Sequence, residues 1–548
     1  MIRSGEKKMT KKCLFLSFVV AFLVLGLFLA NENLALSQNA EENPALGTAI
    51  KPAAIIQVGK AQLRTPKDME EAEYTLGPVI VQDIPFMPTM DPEEYADAKV
   101  YAEAQAKIDS SESEDLPPLA PPILKTYSFE GTNQSASGGA YPPDTHGAVG
   151  HTHYVQIVNC RVVVYTKTGA FVKGTPLNSF LGSTEFVFDP RVVYDPQWKR
   201  WVIVASRRST SATDTIHRWF LAVSQTSNPA GSWWVYWPGF YGGPFNNGDW
   251  FDYPQLGMNQ DAVIITSNIF DTPAGGYKFA VMLSIAKARI YNGLGFSVPI
   301  FTGLRGTLAP PIVLDQNKDA YFVTANDYLN LHLYRGNNLS NASEATLVLQ
   351  AAINVTDYAV PPNAPQIGTT QKIDTLDRRF ENASMQYGDS LWCVHTINAG
   401  GYATPKFYQI DTEGTGANTI KQQGVFYEGS YSYDFNASIA ANASGYVFVT
   451  WNSTDTTNST TALRHQARIR YSGRAPADTL GFISAGYTLF TSSVPLTGNP
   501  SGTAGVQRWG DYSAVSLDPS TSNMMAWITN EKINSASVWG SRIARIGF

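Results

Sequence analysis

From about Lys125 to the C-terminus, short apolar runs alternate with turn residues, and the pattern recurs seven times. Each instance is an alternating small and apolar run, a turn, and then a strongly apolar stretch with the length and period of a strand. The instances read DTHGAVGHTHYVQIVN from Asp144, DPRVVYDPQWKRWVIVAS from Asp189 and DYPQLGMNQDAVIITSN from Asp252. They continue as PPIVLDQNKDAYFVTAND from Pro310, FENASMQYGDSLWCVHT from Phe380, DFNASIAANASGYVFVTWN from Asp434 and GDYSAVSLDPSTSNMMAWITN from Gly510. Every turn carries Asp, Asn, Gly or Pro, which bend a hairpin at little cost. Two further strand candidates follow most instances, such as RWFLAVSQ and WWVYWPG in the second. Units of about four antiparallel strands predict an all-β fold, a seven-bladed β-propeller over residues 125–548. Six or eight blades, or a pair of β-sandwiches, are the competing architectures. The last unit shows three strands, and KTYSFEG ahead of the first unit is expected to supply the fourth and close the ring.

The pattern before residue 125 is different. Lys7, Lys8, Lys11 and Lys12 precede an apolar run over 13–30, and Ala35 and Ser37 then stand at the −3 and −1 positions of a cleavage site. This predicts a secretory signal peptide over 1–37, with an uncleaved membrane anchor as the alternative. Residues 38–124 are acidic and end in a proline-rich stretch, which reads as a spacer or loosely ordered segment. Within it, Asp91-Pro92 is expected to open a helix running to about Ile108.

Composition narrows the class. Charged residues are only 16% of the 548, aromatics are 12% and there are 44 glycines, a balance that suits an extracellular β protein. The formal charge is −6, and removing 1–37 takes away five basic and two acidic side chains to leave −9, so nothing points to nucleic acid. Past the leader only Cys160 and Cys393 remain. They fall in the first and fifth units and are predicted to be separate thiols.

In a propeller the first strand of each unit begins where connections converge on the central channel. The unit starts therefore share one funnel: Asp144 and His146, Asp189 and Arg191, Asp252 and Tyr253, Arg378 and Arg379, Tyr433 and Asp434, and Arg508, Asp511 and Tyr512. Carboxylates, guanidiniums, phenols and an imidazole in one mouth make the default ligand site. The opposing reading is that Arg and Asp from neighbouring units pair and stitch the ring together. Trp509-Gly510 reads as structural, with Trp509 wedged between blades. The aromatic stretch WWVYWPGFYGGPFNNGDWFDYP over 233–254 adds Trp250 as a candidate, its loop half being expected to rim the funnel. His151 and His153 share one strand face, but no third metal ligand accompanies them, so no metal and no cofactor is expected.

The runs PPDTHGAVGHTHYVQIVN, DPRVVYDPQWKRWVIVA and RWGDYSAVSLDP resemble signature runs of large secreted bacterial propellers grouped with the sialidase-like superfamily. The resemblance spans about 125–548 and implies an extracellular propeller. It does not carry catalysis, because the Asp-box Ser-x-Asp-x-Gly-x-Thr-Trp is absent and the arginine triad with its nucleophile finds no matching positions. Two function classes follow. One is a monomeric secreted propeller that binds a glycan or protein through the funnel. The other is a glycoside hydrolase or polysaccharide lyase using the same residues.

Overall fold

The computed structural model describes residues 45–69, 86–105, 124–207, 213, 215–241, 244–271, 276–325, 327–356, 358–413, 417–454 and 465–548. The leader over 1–37 lies outside them. Among the described residues, no helix is long and apolar enough to cross a membrane.

The chain is nearly all β, in antiparallel units that follow one another in a propeller-like arrangement. The first unit contains His146–Val149, His153–Val158, Arg161–Thr166 and Phe171–Pro176. The second contains Val187–Asp195, Arg200–Arg207, Ile216–Ser224 and Trp233–Tyr236, and the third Trp250–Met258, Ala262–Phe270, Tyr277–Ala286 and Phe296–Leu304. The fifth unit comprises Ser384–Tyr387, Ser390–Ala399, Tyr402–Asp411 and Thr419–Val425. The sixth comprises Tyr433–Ala441, Val447–Thr454, Ala467–Arg474 and Tyr487–Thr491. In the seventh, Ala514–Leu517, Met525–Ser535 and Val538–Gly547 are completed by Leu124–Glu130, which pairs antiparallel with the last strand as KTYSFEG predicts.

The fourth unit departs from the pattern. Its Ala320–Thr324, Asn330–Asn337 and Thr346–Asn354 form a regular ladder. Its first strand, Pro311–Val313, instead pairs in parallel with Met258 of the third unit and with Ser384–Tyr387 of the fifth. Pro310 and Pro311 have no N–H to donate, and among the described residues the backbone bridge Ala309–Val323 ties this strand to its own sheet.

First strands of consecutive units touch in order, and that of the seventh touches that of the first. Each sheet therefore has an apolar neighbour on both faces, and the cores lie between units. Val155, Ile203, Phe220 and Trp233 fill the space between the first and second units. Tyr154, Val163, Trp527 and Ile543 fill the space between the seventh and first. Strands buried on both faces read as continuous apolar runs, which is why VVV, VIVA and AVIIT appear in the sequence.

Residues 38–124, expected to be a spacer, are instead partly built into the sheets. Ala49–Ile50 pairs with Thr346–Asn354, Ala54–Val58 with Phe296–Leu304, and Gln62–Arg64 with Trp233–Tyr236. The segment thus visits the outer edges of the fourth, third and second units in turn. Outer strands present unpaired N–H and C=O groups, and pairing with an extended segment satisfies them. Ala54, Ile56 and Val58 pack on the core between the second and third units, while Ile55 between them is 46% exposed. Ile56→Ala is therefore expected to cost roughly 1–2 kcal/mol and Ile55→Ala under about 0.5 kcal/mol, read from urea midpoints.

The helix expected after Asp91 spans Pro92–Gln105. Asp91 Oδ1 accepts from the Glu93 and Glu94 backbone N–H groups at 2.9 and 3.3 Å, and proline stands at the first helical position. Cys160 and Cys393 are separate cysteines, not joined in a disulfide, as expected. The aromatic loop is corrected: Phe245, Trp250 and Phe251 are buried and form core, because they pack between the second and third units instead of rimming a mouth. The side chains of Phe240 and Tyr241 lie outside the description.

Candidate functional site

Four unit starts adopt a left-handed backbone without glycine: Asp144 (φ 48°), Asp189 (φ 51°), Tyr253 (φ 53°) and Asn436 (φ 54°). Asp and Asn tolerate this region, whereas a bulky Tyr does so only where its surroundings hold it. Here the surroundings are the neighbouring units. Asp144 Oδ1 accepts from the Asp511 N–H at 2.7 Å, joining the first unit to the seventh. Asp144 Oδ2 accepts from Asn159 Nδ2 at 2.6 Å, and Asn159 Oδ1 accepts from the Asp189 N–H at 2.8 Å. Asp189 Oδ2 accepts from the Tyr253 N–H at 3.1 Å, linking the second unit to the third. Glu381 Oε2 accepts from the Ala437 N–H at 3.1 Å, linking the fifth to the sixth. The same device, a carboxylate turned to a backbone N–H of an adjoining unit, recurs around the ring.

Arg191 crosses the axis. Its guanidinium donates to Pro254 O at 3.1 Å, Glu381 O at 2.9 Å and Asn382 Oδ1 at 2.9 Å, and it stacks 3.3 Å from the centre of the Tyr512 ring. Tyr253 Oη donates to Glu381 O (3.3 Å) or Asp511 O (3.0 Å), and Tyr512 Oη donates to Pro190 O at 3.1 Å. Together these side chains close the axis across its width. Arg508 pairs with Asp511 at 2.8 Å and lies 3.8 Å from Asp374, and Arg379 pairs with Asp377 at 2.8 Å. Trp509 is wedged as expected, its indole N–H donating to Asn452 Oδ1 of the sixth unit at 3.0 Å.

Burial sets the electrostatics. It pushes the carboxyls of Asp144 and Asp511 up to about 7, with Arg508 acting against the shift in both cases. Burial raises Glu381 to about 8, and raises Asp189 with help from the charges of Asp252 and Asp511. Asp377 goes the other way: despite burial, the Arg379 guanidinium holds it at about 2. The His146 imidazole is held well below its ordinary value by burial and then by Arg191.

The structure brings Asp144, Asp189, Arg191, Tyr253, Arg379, Arg508, Asp511 and Tyr512 into one buried cluster, with Asp252 close enough to Asp189 to raise its carboxyl. His146 stands on the axial side of that cluster, its ring edge-on to Tyr512 at 5.9 Å. There it lines a pocket along the axis together with Gly147, Asn382, Ser384, Ser438 and Ser516. Two candidates stand apart. Asp434 stays within the sixth unit, accepting from Trp451 Nε1 at 2.6 Å and from the Glu428 N–H at 3.2 Å. Trp250 packs between Phe188 and Phe270 in the wall. His151 and His153 turn to different partners, Tyr194 Oη at 2.9 Å and Thr152 Oγ1 at 2.8 Å.

Sequence reasoning missed Asp374, Asp377, Glu381 and Asn382, although all four flank Arg378-Arg379 in KIDTLDRRFENAS. It also missed what covers the face. Phe86 lies 4.9 Å from the Arg379 guanidinium and 5.7 Å from that of Arg508, and Arg379 Nη2 donates to Met87 O at 2.8 Å. Helix Pro92–Gln105 follows. Its Lys99 ammonium donates to Thr375 Oγ1 at 3.0 Å and sits 3.7 Å from Asp374. Glu103 pairs with Lys372 at 2.6 Å.

No family model matches the chain, and no curated protein matches it. Solved structures do show likeness. A protein of unknown function from Dyadobacter fermentans aligns at 11% identity over 78% of this chain and 100% of its own, with a TM-score of 0.36. The sialidase of Trypanosoma rangeli aligns at 10% identity over 78% of this chain and 59% of its own, TM-score 0.35. The exo-β-1,3-galactanase of Phanerochaete chrysosporium aligns at 12% identity over 76% and 96%, TM-score 0.28. At such identities and TM-scores the likeness brings neither family nor substrate with it.

Proposed function

We propose that the chain is a secreted seven-bladed β-propeller that binds an extracellular ligand, a glycan or a protein, at the face where the unit starts meet. Seven blades are supported by the cyclic contact of first strands and by Leu124–Glu130 completing the last sheet. Secretion rests on the leader pattern over 1–37. The observation that carries the ligand reading is what meets the charged groups of this face. Lys372, Asp374, Asp377, Arg379 and Arg508 are engaged by Phe86–Gln105, a stretch that belongs to none of the sheets. A face that accepts such a stretch has the relief and charge to accept another molecule.

Binding is favoured over turnover by how the carboxylates are used. Asp144, Asp189 and Glu381 each accept a backbone N–H from an adjoining unit, so they serve the ring first. The test applies the full chain to a glycan array and a peptide library. Saturable binding that falls at least tenfold in Asp374→Asn with Lys372→Ala supports the face. Binding unchanged by those substitutions would place the ligand elsewhere.

A further inference from the structure

We propose that Phe86–Gln105 is a ligand of this face held in cis, and that the external partner is a protein segment presenting the same groups: an aromatic ring, a backbone carbonyl and a lysine. The inference rests on the reading of the face as the ligand site and decides between its two ligand classes.

The contacts are those of peptide recognition. Arg379 donates to a main-chain carbonyl, and two guanidiniums lie against the Phe86 ring, which is itself 5.2 Å from the Tyr95 ring. Tyr95 Oη donates to Asp374 Oδ1 at 3.4 Å, and Thr89 Oγ1 to Asp377 Oδ2 at 3.4 Å. Asn363 and Asn398 donate to Glu103 and Gln105 at 3.3 and 2.9 Å. Charged contacts of both signs are made, Lys99 to Asp374 and Glu103 to Lys372. A neutral glycan can meet the Asp, Asn and Lys positions with hydroxyls but brings no charge of either sign to pair with Asp374 and Lys372. A peptide supplies all of these groups at once.

The seat is also displaceable. An amphipathic helix usually docks through an apolar face. This one buries only Lys99 and Ala102, while Val100 and Tyr101 are 69% and 65% exposed. Fourteen residues make a marginal helix without tertiary support. Half-exposed pairs such as Glu103–Lys372 add little, and the buried Lys99 gives up hydration to reach Asp374. The strands Ala54–Val58 and Gln62–Arg64, by contrast, are held by backbone ladders. Tethering keeps the cis segment at an effective concentration of about millimolar, so a partner must exceed it in affinity to replace it.

The test uses the full chain and a fluorescent synthetic peptide of residues 86–105, with hydrogen exchange of helix Pro92–Gln105 read in parallel. Phe86→Ala with Lys99→Ala is expected to free the helix amides and to raise peptide affinity at least tenfold over the unsubstituted chain. A peptide carrying the same two alanines is expected not to bind. Helix amides as protected as the sheet strands in every variant would make the segment a permanent part of the fold and overturn the proposal. Freed helix amides without peptide binding would overturn it equally. If the double variant loses strand protection, Lys99→Met, which keeps the stem but not the charge, is read by the same two criteria. A glycan that binds the face while the peptide does not would leave the face as a ligand site and remove this inference alone.

Discussion

Replacing Arg191 by methionine is expected to lower stability by about 3–5 kcal/mol, the cost of stripping a buried charged group from its partners. Methionine fills similar space but leaves Pro254 O, Glu381 O and Asn382 Oδ1 without the donor that faces them. Each of these bonds has a cationic donor and contributes about 1.5–3 kcal/mol before the shared loss is counted once. The stacking on Tyr512 goes as well. Arg191→Lys is expected to recover less than half, because a single ammonium lacks the planar fork that spans three acceptors. Urea denaturation followed by tryptophan fluorescence measures both. A midpoint change worth under about 1 kcal/mol would mean that the second, third and fifth units do not depend on this crossing.

The second large effect is a decline in stability as the pH rises from about 4 towards 8. Asp144 and Asp511 titrate near 7 in the folded chain and Glu381 near 8, because burial disfavours their charged forms. Once unfolded they titrate near 4. Between those values the folded chain binds more protons, so the free energy of unfolding falls with rising pH, by about 1.4 kcal/mol per pH unit for each extra proton held. Their contribution is complete below about pH 4 and is lost as the pH climbs through 7 and 8. Asp377 has the opposite sign: its folded value of about 2 adds stability above pH 4 that disappears as the pH falls through 2. The melting temperature is therefore expected to be higher at pH 5 than at pH 8. Asp144→Asn, which mimics the protonated acid and keeps an acceptor for the Asp511 N–H, is expected to flatten the slope. A curve that is level or rises from 5 to 8 contradicts the assignment.

The recurring strands were legible because a sheet buried on both faces must be built from apolar runs, and its hairpins from Asp, Asn, Gly and Pro. The outer strand KTYSFEG was legible from a missing fourth strand. The strands at Ala54–Val58 and Gln62–Arg64 were not, because an added edge strand needs little pattern of its own when the sheet supplies the partner groups. The aromatic loop misled for a related reason: nothing in WWVYWPGFYGGPFNNGDWFDYP tells whether Phe245 and Phe251 turn outward or in between two units. Asp144, Asp189 and Arg508 do lie together, but composition does not reveal that a carboxylate will meet a backbone N–H of the adjoining unit. That depends on the left-handed turn at each start, which Asp and Asn permit without announcing.

Leu124–Glu130 pairs with Val538–Gly547, so the earlier strand waits for one made much later in synthesis. At about 5–20 residues per second, ribosomal synthesis separates the two by roughly twenty to eighty seconds. Throughout that interval the growing chain carries an open seam, with Tyr154 and Val163 on one lip lacking Trp527 and Ile543 on the other. Until Val538–Gly547 arrives, both lips must be kept from pairing with foreign strands, and a chain cut short before it leaves that seam open for good.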